Sequence, residues 1–240
     1  IVEMIKAHEP TGTKVARRRA IELLGLVGIP RPEQRVDDYP HQFSGGMRQR
    51  VMIAMALALD PQLIIADEPT TALDATVQAQ IIELLLRLQD ELDTALILIT
   101  HDLGVIAEVA DTVLVMYAGK IVEVASRRTA YYRPHHPYTV GLLRSVPGSV
   151  AVRERLTPIT GQPPSMIAVP PGCAFHPRCP YVMEICPARV PDLFEVGARD
   201  PLGEGATDHR SACWLPAEAV GLDETVEQVR VEAQQAAGTP

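Results

Sequence analysis

Aromatic residues make up only 4% of this 240-residue chain, so its core has to be aliphatic. No apolar run approaches the roughly 18 residues needed to cross a membrane; the longest strong one, Val51 to Leu59, is nine residues. The N-terminus has no charged segment leading into an apolar one, which excludes a signal peptide as read. It also has no initiating Met, so the sequence is expected to start inside a longer protein. Basic charge is scarce: a net charge of −8 argues against a general nucleic-acid binder. No cysteine precedes residue 173, and with no export signal the four that follow point to thiol or metal chemistry rather than disulfides. Nor is there any Gly-x-x-x-x-Gly-Lys-Ser/Thr loop to cradle a phosphate.

What is present is 47% hydrophobic and patterned. A first helix stops near Pro10. Thr13 is placed to cap a second, Lys14 to Gly28, with Ala20, Leu23, Leu24 and Val27 on one face. Arg17, Arg18 and Arg19 read as its wet side, and Ile29 to Gln42 as a proline-containing loop. Ser44 stands at a helix N-cap position, and the helix runs to about Leu59, before Pro61. Leu63 to Ala66 is a continuous apolar run, predicting a strand buried on both faces. Thr76 to Leu92 is amphipathic, with Ile81, Ile82, Leu85 and Leu88 inward, and Ala95 to Ile99 is a second buried strand. This alternation predicts an α/β fold with a parallel sheet. A short helix at Leu103 to Val109 and a hairpin, Thr112–Met116 with Lys120–Val124, follow. Helices are expected at Ser126–Tyr132 and Pro137–Ser145. Pro147 to Trp214 is loop-rich, and Glu218 to Pro240 is an acidic, Ala/Gln-rich tail.

The chemistry concentrates between Phe43 and His101. Asp67 and Glu68 end the first strand, and His101 follows the end of the second. Ser44-Gly45-Gly46-Met47 opens a helix, where a glycine turn lets backbone approach an anion and the helix N-terminus aims N–H groups at it. Singly, Asp-Glu-Pro is more often a strand end, and Ser-Gly-Gly a helix cap. Their order, with Asp74 and His101 behind them, is what points to phosphoryl chemistry.

The stretches Tyr39-Pro40-His41-Gln42-Phe43-Ser44-Gly45-Gly46-Met47-Arg48-Gln49-Arg50, Ile65 to Asp74, Ile99-Thr100-His101-Asp102 and His136-Pro137-Tyr138-Thr139 resemble ABC transporter ATP-binding subunits, in detail those of oligopeptide and dipeptide importers. Phe43 and Met47 depart from the commoner Leu and Gln. The resemblance implies a partial P-loop NTPase-like fold: an ABC ATPase parallel sheet with a helical subdomain and a loop-rich four-cysteine module at the C-terminus. It implies that Asp67 holds the hydration shell of Mg²⁺ at the Walker B position and that Glu68 polarises the attacking water. His101 would contact the γ-phosphate. Ser44, Gly45, Gly46, Met47 and Asp74 would serve ATP held across a dimer interface. The implied partners are a second ABC ATPase subunit, transmembrane permease subunits and, indirectly, an extracytoplasmic peptide-binding protein, with no nucleic acid. The implied location is peripheral, on the cytoplasmic face of the membrane.

Only 43 residues precede Ser44, so the Walker A loop, the Q-loop and the adenine-stacking aromatic of the family are outside them. The chain is expected to be truncated and inactive alone, with a bared hydrophobic sheet edge. The alternatives are a non-catalytic half that completes a partner's site and a soluble non-transport ABC ATPase. The expected layout is a helical subdomain at 1–60, a catalytic-core half at 61–146, the four-cysteine module at 147–216 and a flexible tail at 217–240.

Cys173, Cys179, Cys186 and Cys213 lack the close paired spacing of most zinc sites. Pro171, Pro177, Pro180 and Pro187 stiffen the loops around them, as beside ferredoxin ligands. The importer resemblance implies a structural [4Fe–4S] cluster. Zinc is the alternative, with His176 and His209 as further ligands, and free thiols are the third reading. His8, His41, His135 and His136 read as surface or capping histidines.

Overall fold

The computed structural model describes residues 1–145, 158–196 and 208–216. The tail reading falls outside these residues, as do parts of the loop-rich module. The chain divides into two compact units after Asp102.

The first unit is mainly helical. Helices α1 (Val2–His8), α2 (Thr13–Leu26), α3 (Pro32–Arg35) and α4 (Gly45–Ala56) precede strand β1 (Leu63–Asp67), helix α5 (Ala75–Leu92) and strand β2 (Ala95–Ile99). Two local readings need correction. Gly12, not Thr13, is the N-cap of α2; the Thr13 hydroxyl is occupied by Lys6 Nζ at 3.0 Å. The expected loop at 29–42 also contains α3 and a 3₁₀ turn at Pro40–Gln42, each begun by a proline whose missing N–H costs nothing in a first turn. Leu23, Leu24, Ile53, Leu57, Ile81, Leu85 and Leu88 form an aliphatic core between α2, α4 and α5.

Strands β1 and β2 pair in parallel, Leu63 opposite Ala95 and Asp67 opposite Ile99. They are not buried on both faces. Ile64 joins the helical core, while Leu63, Ile65, Ile97 and Ile99 are 45%, 62%, 47% and 48% exposed. Residues two apart share a face, so these four form one apolar surface. The reason is architectural: the helices of this unit cover only one side of the sheet. Each strand also keeps an unpaired edge among the described residues.

The second unit holds helix α6 (Leu103–Val109), the hairpin β3 (Thr112–Tyr117) and β4 (Lys120–Ser126), and helices α7 (Arg127–Tyr132) and α8 (Pro137–Arg144). Ala118 and Gly119 both take positive φ, 47° and 77°, as a two-residue hairpin turn of the primed type requires. Two short strands, β5 (Phe194–Glu195) and β6 (Arg210–Ser211), complete an antiparallel sheet in the order β3-β4-β6-β5. Two-residue strands in a proline-rich stretch leave no periodicity to read.

Candidate functional site

The first group of site residues lies where β1 and β2 end. Parallel pairing delivers both strand ends side by side, and Glu68 N–H donates to Ile99 O at 2.8 Å just past them. Glu68 takes φ 44°, in the left-handed region that a non-glycine residue seldom occupies; such strain gathers at functional sites. Glu68 Oε1 lies 3.0 Å from His101 Nδ1, and Glu68 Oε2 accepts from the Thr71 hydroxyl at 2.7 Å. Thr71 first, and His101 second, hold the Glu68 carboxyl below its ordinary value. The result is an ionised, oriented carboxylate in reach of solvent. Asp67, the last residue of β1, lies exposed beside it. Thr71 is not among the residues the sequence singles out; its place three residues after Glu68 is the available signal.

The second group lies at the starts of α4 and α5. Ser44 caps α4, its Oγ accepting Met47 N–H at 3.3 Å. Asp74 caps α5, its Oδ1 accepting Val77 N–H at 3.0 Å. A Cβ on Gly46 would stand 2.6 Å from Val77 Cγ1, and one on Gly45 would meet Leu73 at 3.6 Å. The Ser-Gly-Gly turn is therefore seated against the first turn of α5. Gly46 is demanded by packing as well as by any phosphate, and Asp74 is engaged by its own helix.

The second unit holds a separate centre. Cys173, Cys179, Cys186 and Cys213 all line one pocket, with His136, His176, Phe175 and Trp214 among its other walls. None of the four forms a disulfide among the described residues. Met183 N–H reaches Cys186 Sγ at 3.5 Å. Burial pushes the Cys179 and Cys213 thiols up to about 11, against main-chain hydrogen bonds from Tyr181 and Leu215, and neighbouring cysteines push the same way. Burial likewise raises Cys173. Gly172 makes the enclosure possible. Its φ is 67°, and a Cβ there would stand 2.1 Å from Cys186 O, the carbonyl that accepts Cys173 N–H at 2.8 Å. Among the described residues no three His, Cys, Asp or Glu side chains are arranged to hold a single metal ion. His209 is engaged elsewhere, its Nε2 2.8 Å from Glu123 Oε1, and His176 Nδ1 bonds Cys173 O at 2.9 Å.

His135 and His136 are not surface residues: they are 5% and 1% exposed. The buried Glu123 side chain explains both. Its Oε1 accepts His135 N–H at 2.6 Å and its Oε2 accepts His136 N–H at 3.0 Å. The capping part of the expectation holds for His136, whose Nδ1 accepts Tyr138 N–H at the start of α8.

Residues 3–71 match the family described as ABC transporter, and residues 122–186 match the oligopeptide/dipeptide transporter C-terminal region. Together the two matches cover more than half of the chain. The chain is 49% identical to the dipeptide transport ATP-binding protein DppD of Escherichia coli over 221 residues, covering 92% of this chain and 65% of that one. The chain belongs to the ABC transporter ATP-binding family. It is also 55% identical to DppD of Bacillus subtilis over 184 residues, 77% of this chain and 55% of the relative. With the oligopeptide transport ATP-binding protein OppD of Mycobacterium tuberculosis it is 50% identical over 240 residues, 99% of this chain and 38% of the relative. This ABC chain thus spans between about a third and two thirds of the length of these relatives. No helix among its described residues is long and apolar enough to cross a membrane.

Proposed function

We propose that this chain supplies the signature turn, the Walker B strand end and the switch histidine of an ATPase subunit that energises import of oligopeptides or dipeptides. The observation that carries the reading is the Glu68–His101 pair at the ends of adjacent parallel strands. The match of residues 122–186 and the names of the relatives support the substrate class.

In this reading Glu68 accepts a hydrogen bond from the attacking water and polarises it. His101 holds the Glu68 carboxylate through Nδ1 and stands at the γ-phosphate. Asp67, exposed at the strand end, holds the hydration shell of Mg²⁺. Ser44, Gly45, Gly46 and Met47 present the α4 N-terminus to nucleotide bound by a second ABC subunit, and Asp74 stands beside them. The subunit works peripherally, on the cytoplasmic face, against transmembrane permease subunits served by an extracytoplasmic peptide-binding protein. The layout proposed from the sequence, 1–60, 61–146, 147–216 and 217–240, places these roles in the first two segments.

The four cysteines are proposed to hold a [4Fe–4S] cluster. The support is that all four line one pocket, and a [4Fe–4S] cluster is held by four cysteine thiolates. The group would staple a module poor in core. Zinc binding at these cysteines is the competing outcome.

The test is turnover by the full-length protein assembled with its permease partners. Glu68→Gln is expected to lower ATP hydrolysis by about 10²–10⁴-fold while nucleotide binding persists. Unchanged hydrolysis in that variant would overturn the assignment.

A further inference from the structure

His136 does two jobs in the structure, and only one has a partner. Its Nδ1 accepts Tyr138 N–H at 3.1 Å and so caps α8. An Nδ1 that accepts carries no proton, which places the ring proton of the neutral imidazole on Nε2. That Nε2 is buried and has no hydrogen-bond partner. A buried donor left unmade carries its full desolvation penalty, so a native protein is expected to satisfy it.

The surroundings limit what can accept. His136 lines the pocket that Cys173, Cys179, Cys186 and Cys213 share. Among the other polar walls, Trp214 Nε1 is a donor only and is spent on Arg189 O at 3.3 Å, and His176 Nδ1 lies 2.9 Å from Cys173 O. The ring is held rather than mobile. Glu123 Oε2 accepts the His136 main-chain N–H at 3.0 Å, and the ring packs on Phe175 with centroids 5.8 Å apart.

We infer that His136 is a positioning residue of the cysteine centre, its Nε2–H donating to a sulfur of the cluster or of a cysteinyl ligand. This rests on the reading that the four cysteines hold a [4Fe–4S] cluster. Hydrogen bonds to cluster sulfurs are one of the levers by which a protein sets the reduction potential, and such outer partners orient and tune the ligands they touch. A donor stabilises the more negative, reduced state, so the His136 donor raises the potential. The reading also explains why this buried position carries histidine: asparagine could cap the helix, but its shorter amide would not place a second N–H where Nε2 lies.

The test uses the full-length protein, reconstituted anaerobically with iron and sulfide, in wild-type, His136→Asn and His136→Gln forms. Iron and sulfide are assayed first and the cluster midpoint potential second. The expected result is equal iron in all three, a potential shifted negative in H136N, and a return toward wild type in H136Q, whose amide offers a donor near the place of Nε2. Loss of iron from H136N with retention in H136Q also supports the inference. Equal potentials in three iron-loaded proteins overturn it and leave the cluster reading standing. Loss of iron from both variants overturns it too, because ring packing would then be the requirement. Wild-type protein that takes up zinc and no iron overturns the cluster reading, and the inference falls with it.

Discussion

Glu68 Oε1 and His101 Nδ1 stand 3.0 Å apart, though 33 residues separate them in the chain. Parallel pairing of β1 with β2 makes the meeting, and Thr71 completes the carboxylate's shell from the other oxygen.

That shell predicts a pH effect. Thr71, then His101, holds the Glu68 pKa low. Removing either raises it, so a larger fraction of Glu68 is protonated at a given acidic pH. In the full-length protein, Thr71→Val and His101→Ala are expected to move the acid limb of the turnover profile to higher pH. Steady-state hydrolysis measured across pH checks this; an unmoved acid limb in both variants would count against the shell.

Asp74 separates two roles by substitution. As the N-cap of α5 its Oδ1 accepts Val77 N–H, so Asp74→Ala is expected to cost about 1 kcal/mol of stability and Asp74→Asn much less. If Asp74 also acts at a dimer interface through its charge, Asp74→Asn lowers cooperative ATP turnover without that stability loss. Urea unfolding beside turnover distinguishes the two.

Gly46 meets Val77 too closely for a side chain. Gly46→Ala is expected to destabilise the first unit by about 1–3 kcal/mol through overpacking. Val77→Ala in the same chain should recover most of that, a coupling a double-mutant cycle measures. Stability restored without turnover restored would show that the glycine is also needed for nucleotide.

Glu123 and His135 predict acid sensitivity in the second unit. Burial raises the Glu123 pKa, but hydrogen bonds, that from His209 foremost, outweigh it and leave the group below its ordinary 4.5. Burial lowers His135 below its ordinary 6.5. Both folded values are depressed, so in both cases the unfolded chain binds protons first as the pH falls. Stability is expected to decline below about 6.5 through His135 and further below about 4.5 through Glu123. Chemical unfolding as a function of pH reads this out. Glu123→Ala, which leaves two buried N–H groups and His209 without their acceptor, is expected to cost about 3–5 kcal/mol at neutral pH.

Much of the local structure is legible in the sequence because it is encoded locally. The caps at Ser44 and His136, the amphipathic α5, both parallel strands and the hairpin turn depend on residues within a few positions of one another. The candidate residues Asp67, Glu68 and His101 are legible for the same reason, each at the end of an apolar run. Thr71 and Gly172 carry weaker signals, since their importance lies in what they touch.

The burial of histidines 135 and 136 is not legible. Nothing near them in sequence is an acid; the carboxylate that buries them is Glu123, on another element, and His209 arrives at it across 86 residues. The exposed face of β1 and β2 escapes sequence reading for a related reason. An apolar run states that a strand tolerates burial, whereas coverage depends on which elements lie above it.

The sequence by itself determined the family resemblance, which rests on the order of its motifs from Ser44 to His101; the strand and helix ends that carry those residues follow from short-range hydrophobic periodicity and capping. The tertiary structure alone decided the partners. It set Glu68 against His101, Gly46 against Val77, and four cysteines spread over 41 positions around one pocket beside His136. Such pairings follow from strand register, helix packing and chain crossing, which no local run of residues specifies.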